Sequence, residues 1–217
     1  MQVICHIIAT MIGTCFPPSD FDNWANTYDH SISIDRFPFL GYPDVLAKTL
    51  ALAEPHPGLS VLDLGTGTGN LALLFDRCDC DLWCTDFSEP MLARARLKLP
   101  AAHFILHDLK VPLPPELDRS FDRIVSAYVF HHFELDGKVH ILHELLPHLV
   151  PNGRMVIADI AFPDAEAMEK VRLVAGKDWE DEFYWIATES TIALEKVGFK
   201  VEYVQVSPCA GVFTLLS

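Results

Sequence analysis

The chain has 217 residues, half of them hydrophobic, and a formal net charge of −14 at neutral pH. This length and composition are sufficient for one globular domain with a buried core. An acidic surface repels the phosphates of nucleic acids and of anionic membranes, so neither is expected to be the main partner.

The first thirteen residues, "MQVICHIIATMIG", are apolar and contain no Lys or Arg. A secretory signal has a basic start and a membrane span needs about 20 apolar residues, so this segment is predicted to be neither. Residues 1–18 are expected to form an N-terminal extension, with Met11 as an alternative start site. Residues 19–217 are predicted to form one domain with a helical lid at 19–53 and an α/β core at 58–217.

From residue 58 onward, short apolar runs alternate with helical patterns, which is typical of a parallel sheet covered on both faces. The predicted strands are 59–64, 81–86, 102–107, 122–127 and 154–160. The predicted helices are 68–77, 89–98, 135–149, 164–175 and 186–196, and "PNG" at 151–153 is predicted to turn the chain into the fifth strand. The runs "FKVEYVQVS" and "GVFTLLS" predict an antiparallel hairpin at one edge. The fold class is therefore α/β, a doubly wound and mostly parallel sheet.

No metal site is predicted from the cysteines and histidines. The spacing C-x-C-x3-C of Cys78, Cys80 and Cys84 matches no common zinc arrangement, so these residues are expected to act as small apolar side chains. His140 and His143 lie three apart on a predicted helix without a second group of ligands, so they are expected to be solvated. Unpaired cysteines of this kind indicate a reduced, cytoplasmic protein.

The stretch "VLDLGTGTGN" at 61–70 places an acid at the end of a predicted strand and three glycines after it. The carboxyl end of such a strand is the usual ligand site of a doubly wound sheet. The dinucleotide fingerprint requires glycine at position 70, where this chain has Asn70, and the ATP-type phosphate loop is absent. The spacing D-x-G-x-G-x-G therefore argues against a cofactor held by its phosphates.

Acids also end the second and third predicted strands. Asp86 follows the first glycine by about 20 residues, a position from which a carboxylate can accept both ribose hydroxyls. The alternative is that Asp86 caps the next helix together with Ser88. Asp108 is either a third ligand-binding acid or a solvated loop residue.

Three segments of the chain together resemble the class I S-adenosylmethionine-dependent methyltransferases. "VLDLGTGTGN" is similar to motif I, "DFSEPMLARAR" to the second motif, and "FDRIVSAYVFHHF" to the segment around the fourth strand. The resemblance extends over about residues 20–160. It implies a Rossmann-like, seven-stranded sheet, S-adenosyl-L-methionine as methyl donor and S-adenosyl-L-homocysteine (SAH) as product.

The resemblance also implies the cofactor contacts. Asp63 is expected to orient the methionine end and Asp86 to bind the ribose, while Asp108 accepts a hydrogen bond from the adenine amino group. The other implied contacts are made by Gly65, Gly67 and Gly69, by Phe87 and Met91 on the adenine, by the backbone of Leu109, and by the backbone of Ser126 and Ala127.

The N-terminal "FDNWANTYD" resembles the opening of a group of small bacterial methyltransferases related to the quinone-biosynthesis branch. Trp24 and Tyr28 are four residues apart and share a helix face. Trp24 is expected to pack the helix onto the domain. Tyr28 either packs in the same way or forms part of a lid over the reacting methyl group.

Fewer sequence features indicate where the methyl acceptor binds than where the cofactor binds. Methyl transfer needs a general base only if the acceptor loses a proton, and His131 and His132 follow the fourth strand at the expected acceptor position. His131 is the candidate catalytic residue, although one ring of such a pair often packs inward. The aromatic residues of "KDWEDEFYWIATES" at 177–190 either line the acceptor pocket or belong to the core or a homodimer contact.

A small molecule is the expected acceptor. The fourth strand ends in "SAYV" rather than the [DNS]-P-P-[YF] with which DNA amino-methylating enzymes hold a flipped base. One alternative is a nicotinamide-dependent oxidoreductase, against which Asn70 and the lack of an obvious Tyr-x3-Lys pair argue. The other is a catalytically silent S-adenosylmethionine-binding protein, because a fold alone does not fix an activity.

Overall fold

The computed structural model describes Asp22 and residues 24–216. Its central sheet has the strand order β3-β2-β1-β4-β5-β8-β7, with the short β6 paired to the end of β5. Strands β1 to β5 are parallel, whereas β8 is antiparallel to both β5 and β7. The strands are β1 Ser60–Leu64, β2 Asp81–Asp86, β3 His103–Leu106, β4 Phe121–Ala127, β5 Leu149–Phe162, β6 Trp185–Ile186, β7 Lys200–Ser207 and β8 Ala210–Leu216.

Helices cover both faces of this sheet, and each face carries its own apolar core cluster. The helices are α1 Tyr28–Ser31, α2 Tyr42–Ala53, α3 Asn70–Asp76, α4 Glu89–Lys98, α5 Leu135–Glu144, α6 Ala165–Ala175 and α7 Ala187–Lys196. Strand β1 has four consecutive buried residues after its first, as expected for a central strand that is covered on both sides. The predicted Rossmann-like, mostly parallel sheet with a C-terminal antiparallel hairpin is confirmed.

Two predicted boundaries around β5 are wrong. The helix predicted for 135–149 ends at Glu144 and is followed by a 3-10 turn at Leu146–His148, since Pro147 has no N–H to continue the helix. The predicted turn at 151–153 lies inside β5, where Asn152 has a left-handed φ of 65° and the register with β4 shifts. An irregularity within a longer strand therefore replaces the turn. The fifth strand, predicted at 154–160, therefore begins earlier, at Leu149. The remaining predicted strands and helices of the core agree with the structure to within two residues at each end.

The lid region is only partly helical. Between α1 and α2 the chain forms turns, and the rings of Phe39 and Tyr42 pack on Tyr128 with centroid distances of 5.5 and 5.2 Å. This contact joins the lid to the loop after β4. The predicted extension at 1–18, which includes Met11, lies outside the described residues. Within the described residues, no helix is long and apolar enough to cross a membrane.

Candidate active site

A cavity of about 580 Å³ opens at the carboxyl edge of the sheet, underneath the lid. We call its two parts the cofactor half and the acceptor half, after the roles that we propose for them. The cofactor half is formed by the loops that follow β1, β2 and β3. The acceptor half is formed by the lid, the turn Phe130–His132 and the segment 177–184 that precedes β6.

Most of the site residues predicted from the sequence line this one cavity. They are Tyr28, Asp63, Gly65, Gly67, Asp86, Phe87, Met91, Asp108, Leu109, Ala127 and His131. Gly69 and Ser126 do not belong to the lining. Gly69 precedes the first residue of α3, and the Ser126 hydroxyl donates a hydrogen bond of 2.8 Å to the Leu64 carbonyl inside the sheet.

Asp63, at the end of β1, is 1% exposed, and its Oδ2 makes no hydrogen bond within the described part of the chain. Its backbone carbonyl accepts hydrogen bonds from the Thr66 and Thr85 hydroxyls, which fixes the backbone at this point. Burial, with a smaller effect from the charge of Asp86, raises the pKa of Asp63 to about 7. A buried carboxylate oxygen without a partner is costly, so this atom is suited to a ligand that donates to it.

Asp86, at the end of β2, shapes the glycine loop. Its Oδ2 accepts the Gly67 N–H at 2.8 Å, and its Oδ1 accepts the Ser88 N–H at 2.9 Å. Burial raises the pKa of Asp86 to about 6. A carboxylate has about four acceptor positions, so its backbone contacts leave part of its acceptor capacity for a ligand.

The glycines of the loop differ in what a side chain would meet. Gly65 has a φ of +67°, and a Cβ there would lie 2.4 Å from Cγ2 of Val129. Gly67 has a φ of +55°, but no heavy atom of the described residues lies within 4 Å of its Cβ position. Gly65 is therefore required for packing against the loop after β4, whereas Gly67 leaves the backbone open toward the cavity.

The far end of the cofactor half is formed by the loop after β3. Asp108 accepts the Lys110 N–H at 3.0 Å, which holds its carboxylate at the cavity rim. His107 is 8% exposed, and its Nε2 has no hydrogen-bond partner among the described residues. Burial lowers the pKa of His107, so its ring is neutral at physiological pH. This end of the cavity therefore offers a carboxylate and a neutral imidazole.

The lid is attached to the glycine loop by Asp29, a residue that the sequence prediction did not include. Its carboxylate accepts hydrogen bonds from Thr68 Oγ1 at 2.6 Å, Asn70 Nδ2 at 3.1 Å and Lys98 Nζ at 2.9 Å. Partial burial acts to raise the pKa of Asp29, but these hydrogen bonds hold it below its usual value. The only sequence signal was the acid that ends "FDNWANTYD".

Tyr28 lies in α1 and contributes to the cavity wall. Its ring meets that of Trp24 edge-on at a centroid distance of 4.8 Å, although residues 25–27 form a turn and α1 begins only at Tyr28, so the two residues pack together without sharing the predicted helix. Burial raises the pKa of Tyr28 well above its usual value. The phenol therefore stays protonated and remains a hydrogen-bond donor near neutral pH.

His131 is fixed by Asp159 of β5. Asp159 Oδ2 accepts the backbone N–H of His131 at 2.8 Å, and Oδ1 lies 2.5 Å from ring Nδ1. The same carboxylate accepts the Trp185 indole N–H at 3.0 Å. Burial acts to lower the pKa of His131, but the charge and hydrogen bond of Asp159 raise it above its usual value. Ring Nδ1 thus faces Asp159, which leaves Nε2 on the other side of the ring.

Glu182 faces the two histidines from the segment before β6. Its Oε1 lies 3.2 Å from His132 Nδ1, and its Oε2 lies 3.9 Å from His131 Nε2. Burial lowers the pKa of His132. Sequence reasoning missed Glu182 because it is about fifty positions from the histidines, in a segment where it is one of several acids among aromatic residues.

The aromatic residues of the segment 177–190 lie partly in the cavity wall and partly in the core. Tyr184 lines the cavity. Trp185 is fully buried in the core, and Trp179 stacks on Phe37 of the lid at a centroid distance of 5.0 Å. The segment therefore serves both the acceptor half and the core.

Comparison with known proteins gives consistent matches. A family model for the methyltransferase domain matches residues 61–153. A methyltransferase of Geobacillus kaustophilus described as uncharacterized is 33% identical over 199 residues, which cover 85% of this chain and 89% of the relative. Another, from Geobacillus sp. strain WCH70, is 31% identical over 85% of this chain and 90% of its own length.

Solved structures show the same fold at low sequence identity. The complex of DhpI with SAH matches with a TM-score of 0.69 and 20% identity, and covers 92% of this chain and 94% of that chain. A TehB-like methyltransferase from Corynebacterium glutamicum matches with a TM-score of 0.64 and 21% identity over 93% of this chain and 100% of its own. None of these matches supports a nicotinamide-dependent oxidoreductase. The extent and identity of the Geobacillus matches, together with the glycine loop and its acids, show that the chain belongs to the class I S-adenosylmethionine-dependent methyltransferases.

Proposed function

We propose that the protein transfers the methyl group of S-adenosylmethionine to a small molecule bound in the acceptor half of the cavity. The observation that carries this proposal is the buried Asp63 Oδ2, which has no hydrogen-bond partner among the described residues and belongs to the same cavity wall as the open Gly67. The α-ammonium group of the cofactor supplies the donor that this oxygen lacks. A cofactor with a sulfonium and an ammonium group suits a cavity whose buried acids have raised pKa values.

The remaining cofactor contacts follow the order of the strands. Asp86 binds the ribose hydroxyls with the acceptor capacity that its backbone contacts leave. Asp108 and the backbone of Leu109 bind the adenine edge. Side chains of Phe87 and Met91 cover its faces, and the backbone near Ala127 faces the methionine part.

The proposed catalytic residues are His131, which activates the acceptor, and Tyr28, which covers the reacting methyl group as part of the lid. Both line the acceptor half of the cavity. The cofactor supplies the reactive methyl group, and the protein supplies orientation and exclusion of water. The attachment of Asp29 to the glycine loop supports a lid that closes over bound cofactor.

We also propose that the protein belongs to the group of small bacterial methyltransferases that share the motif "FDNWANTYD". Asp29, the acid at the end of this motif, attaches the lid to the glycine loop, and this structural role supports the assignment. The net charge of −14 supports a small-molecule acceptor over a nucleic acid. A homodimer is compatible with this arrangement and is tested by the mass of the protein in solution.

Calorimetry and product analysis test this function. The protein is expected to bind S-adenosylmethionine and SAH and not NAD, and to form SAH when incubated with an acceptor panel of hydroxyl, thiol and amine compounds. Binding of NAD alone would contradict the methyltransferase assignment. Binding of the cofactor without product, across a panel extended with lysate metabolites, would favour the catalytically silent alternative.

A further inference from the structure

The acceptor half contains a group of three potential metal ligands, which we call the His-His-Glu cluster: His131, His132 and Glu182. One ligand atom from each residue lies within 4.8 Å of the others. Their side chains are 8%, 15% and 7% exposed, so the cluster is largely shielded from water but belongs to the cavity wall. The described contacts of the cofactor half do not involve it.

Backbone contacts hold the cluster together. The Phe183 N–H, next to Glu182, donates a hydrogen bond of 3.0 Å to the His131 carbonyl. The ammonium group of Lys138, a residue that is 1% exposed, donates to the Phe183 carbonyl and lies 4.3 Å from the centroid of the Trp185 ring. The segment that carries Glu182 is therefore fixed to the turn that carries the histidines, and a preformed arrangement of this kind needs little reorganisation to bind an ion.

A second layer orients His131 as a ligand. Asp159 faces ring Nδ1 at 2.5 Å and is itself held by the N–H groups of Ile160 and Trp185. Metal-binding histidines usually donate their second ring N–H to a carboxylate in this manner, which fixes the tautomer and presents the other nitrogen to the metal. In this site the other nitrogen is Nε2, which is directed toward Glu182.

We propose that His131 Nε2, His132 Nδ1 and one carboxylate oxygen of Glu182 bind a single divalent transition-metal ion such as Zn²⁺. Two imidazoles and one carboxylate are a donor set that suits Zn²⁺, Fe²⁺ or Co²⁺ better than Mg²⁺ or Ca²⁺. Ligand atoms around a tetrahedral ion at about 2.1 Å are about 3.4 Å apart. His132 Nδ1 lies 3.2 Å from Glu182 Oε1 and His131 Nε2 lies 3.9 Å from Oε2, and one ligand atom from each of the three residues lies within 4.8 Å of the others. A small side-chain adjustment therefore brings three ligand atoms to that spacing.

The ion would take part in the proposed methyl transfer. Its catalytic role rests on the proposed function in one respect, namely that an acceptor binds in this half of the cavity. Three protein ligands leave one position for the acceptor's hydroxyl or thiol, whose pKa a bound ion lowers. The O–H or S–H proton leaves to solvent, and the lone pair of the metal-bound anion forms the bond to the methyl carbon. The carbon–sulfur bond of the cofactor breaks with its electrons on sulfur, which leaves neutral SAH. His131 then activates the acceptor through the ion.

Zn²⁺ titration of chelator-treated protein tests the site without an acceptor. Calorimetry is expected to show one Zn²⁺ per chain at this site, and Co²⁺ is expected to give the visible absorption of a tetrahedral or five-coordinate ion. Glu182→Gln and His132→Asn are each expected to weaken the binding at least tenfold. The double variant H140N/H143N, which removes two exposed histidines of α5, is the matched control and is expected to bind as the wild type does.

The result that overturns the proposal is wild-type protein that binds neither ion, or Zn²⁺ binding that Glu182→Gln and His132→Asn leave unchanged. SAH binding by each variant shows that it is folded, and the Co²⁺ spectrum of the wild type decides the case if a variant does not fold. Loss of SAH binding in the wild type would instead refute the cofactor site. If Zn²⁺ does not bind while His131→Asn abolishes methyl transfer, His131 acts as a direct proton acceptor.

Discussion

The two halves of the cavity involve buried acids in opposite situations. In the cofactor half, Asp63 lines the cavity with an oxygen that has no partner among the described residues, and burial raises the pKa of its carboxyl group to about 7. Behind the acceptor half, where Asp159 contacts His131, burial also acts to raise the pKa of Asp159, but the charge and hydrogen bond of His131 lower it below its usual value. The comparison indicates different roles: Asp63 is left for a cationic ligand, whereas Asp159 serves to position a neighbouring side chain.

The largest expected effect concerns the backbone of the cofactor half. Gly65→Ala is expected to lower the free energy of unfolding by about 3 kcal/mol, because its Cβ would meet Val129 at 2.4 Å in a left-handed conformation. Gly67→Ala is the matched control, since it has a similar φ and open space. It is expected to cost only about 1–2 kcal/mol of stability, and its methyl group should weaken SAH binding. Urea unfolding measures both, and equal losses for the two variants would contradict the packing role of Gly65.

The next largest effect is expected from removal of the Asp63 carboxylate. Asp63→Asn is expected to weaken SAH binding by about 10–100-fold, since a hydrogen bond to a charged group contributes about 1.5–3 kcal/mol. The exposed Glu116→Gln is the control and should bind as the wild type does. Calorimetry at pH 8 measures both constants. Unchanged affinity in Asp63→Asn would show that the ammonium group binds elsewhere.

The raised pKa of Asp63 also predicts a pH dependence. The ammonium group favours the ionised carboxylate, so the affinity for SAH should fall by about tenfold from pH 8 to pH 6 and level off above the pKa of about 7. Asp63→Asn should show a shallower dependence, to which Asp86, with a pKa of about 6, still contributes.

The raised pKa of Asp63 also makes the stability of the ligand-free protein depend on pH. Because the folded pKa of Asp63 lies above its ordinary value of 3.8, protonation of Asp63 stabilises the folded state. This contribution is fully present below about pH 4 and is lost as the pH rises to about 7. Ligand-free Asp63→Asn should therefore gain stability relative to the wild type over this interval. A constant difference between the two proteins would contradict the assigned shift.

The smallest expected effect concerns the contact between the lid and the glycine loop. Asp29→Asn is expected to accelerate SAH dissociation only several-fold, because the ion pair with Lys98 is partly exposed and exposed pairs contribute about 0.2–1 kcal/mol. Asp44→Asn changes another acid of the lid region, one that is exposed on α2, and should leave the rate unchanged. Stopped-flow measurements compare the two rates. Equal rates in Asp29→Asn and the wild type would mean that the lid does not close over the cofactor through this contact.

The same two halves differ in how far the sequence predicted them. Asp63, Asp86 and the glycines each lie at or next to a strand end within a short motif, so local spacing was sufficient to place them on one edge. Glu182 and Asp159 come from segments that only the folded chain brings to His131, and no local pattern connects them. The predicted helix at 135–149 is too long for a local reason, since the apolar periodicity continues past Pro147 but a proline cannot continue the helix.

The separation of the two halves is tested most directly by SAH titration of the wild type, Asp63→Asn and Glu182→Gln side by side at pH 8. Glu182→Gln is expected to bind SAH within about twofold of the wild type, while Asp63→Asn binds about 10–100-fold more weakly. Equal losses in both variants, or a greater loss in Glu182→Gln, would contradict a cofactor site built at the end of β1 and separate from the His-His-Glu cluster.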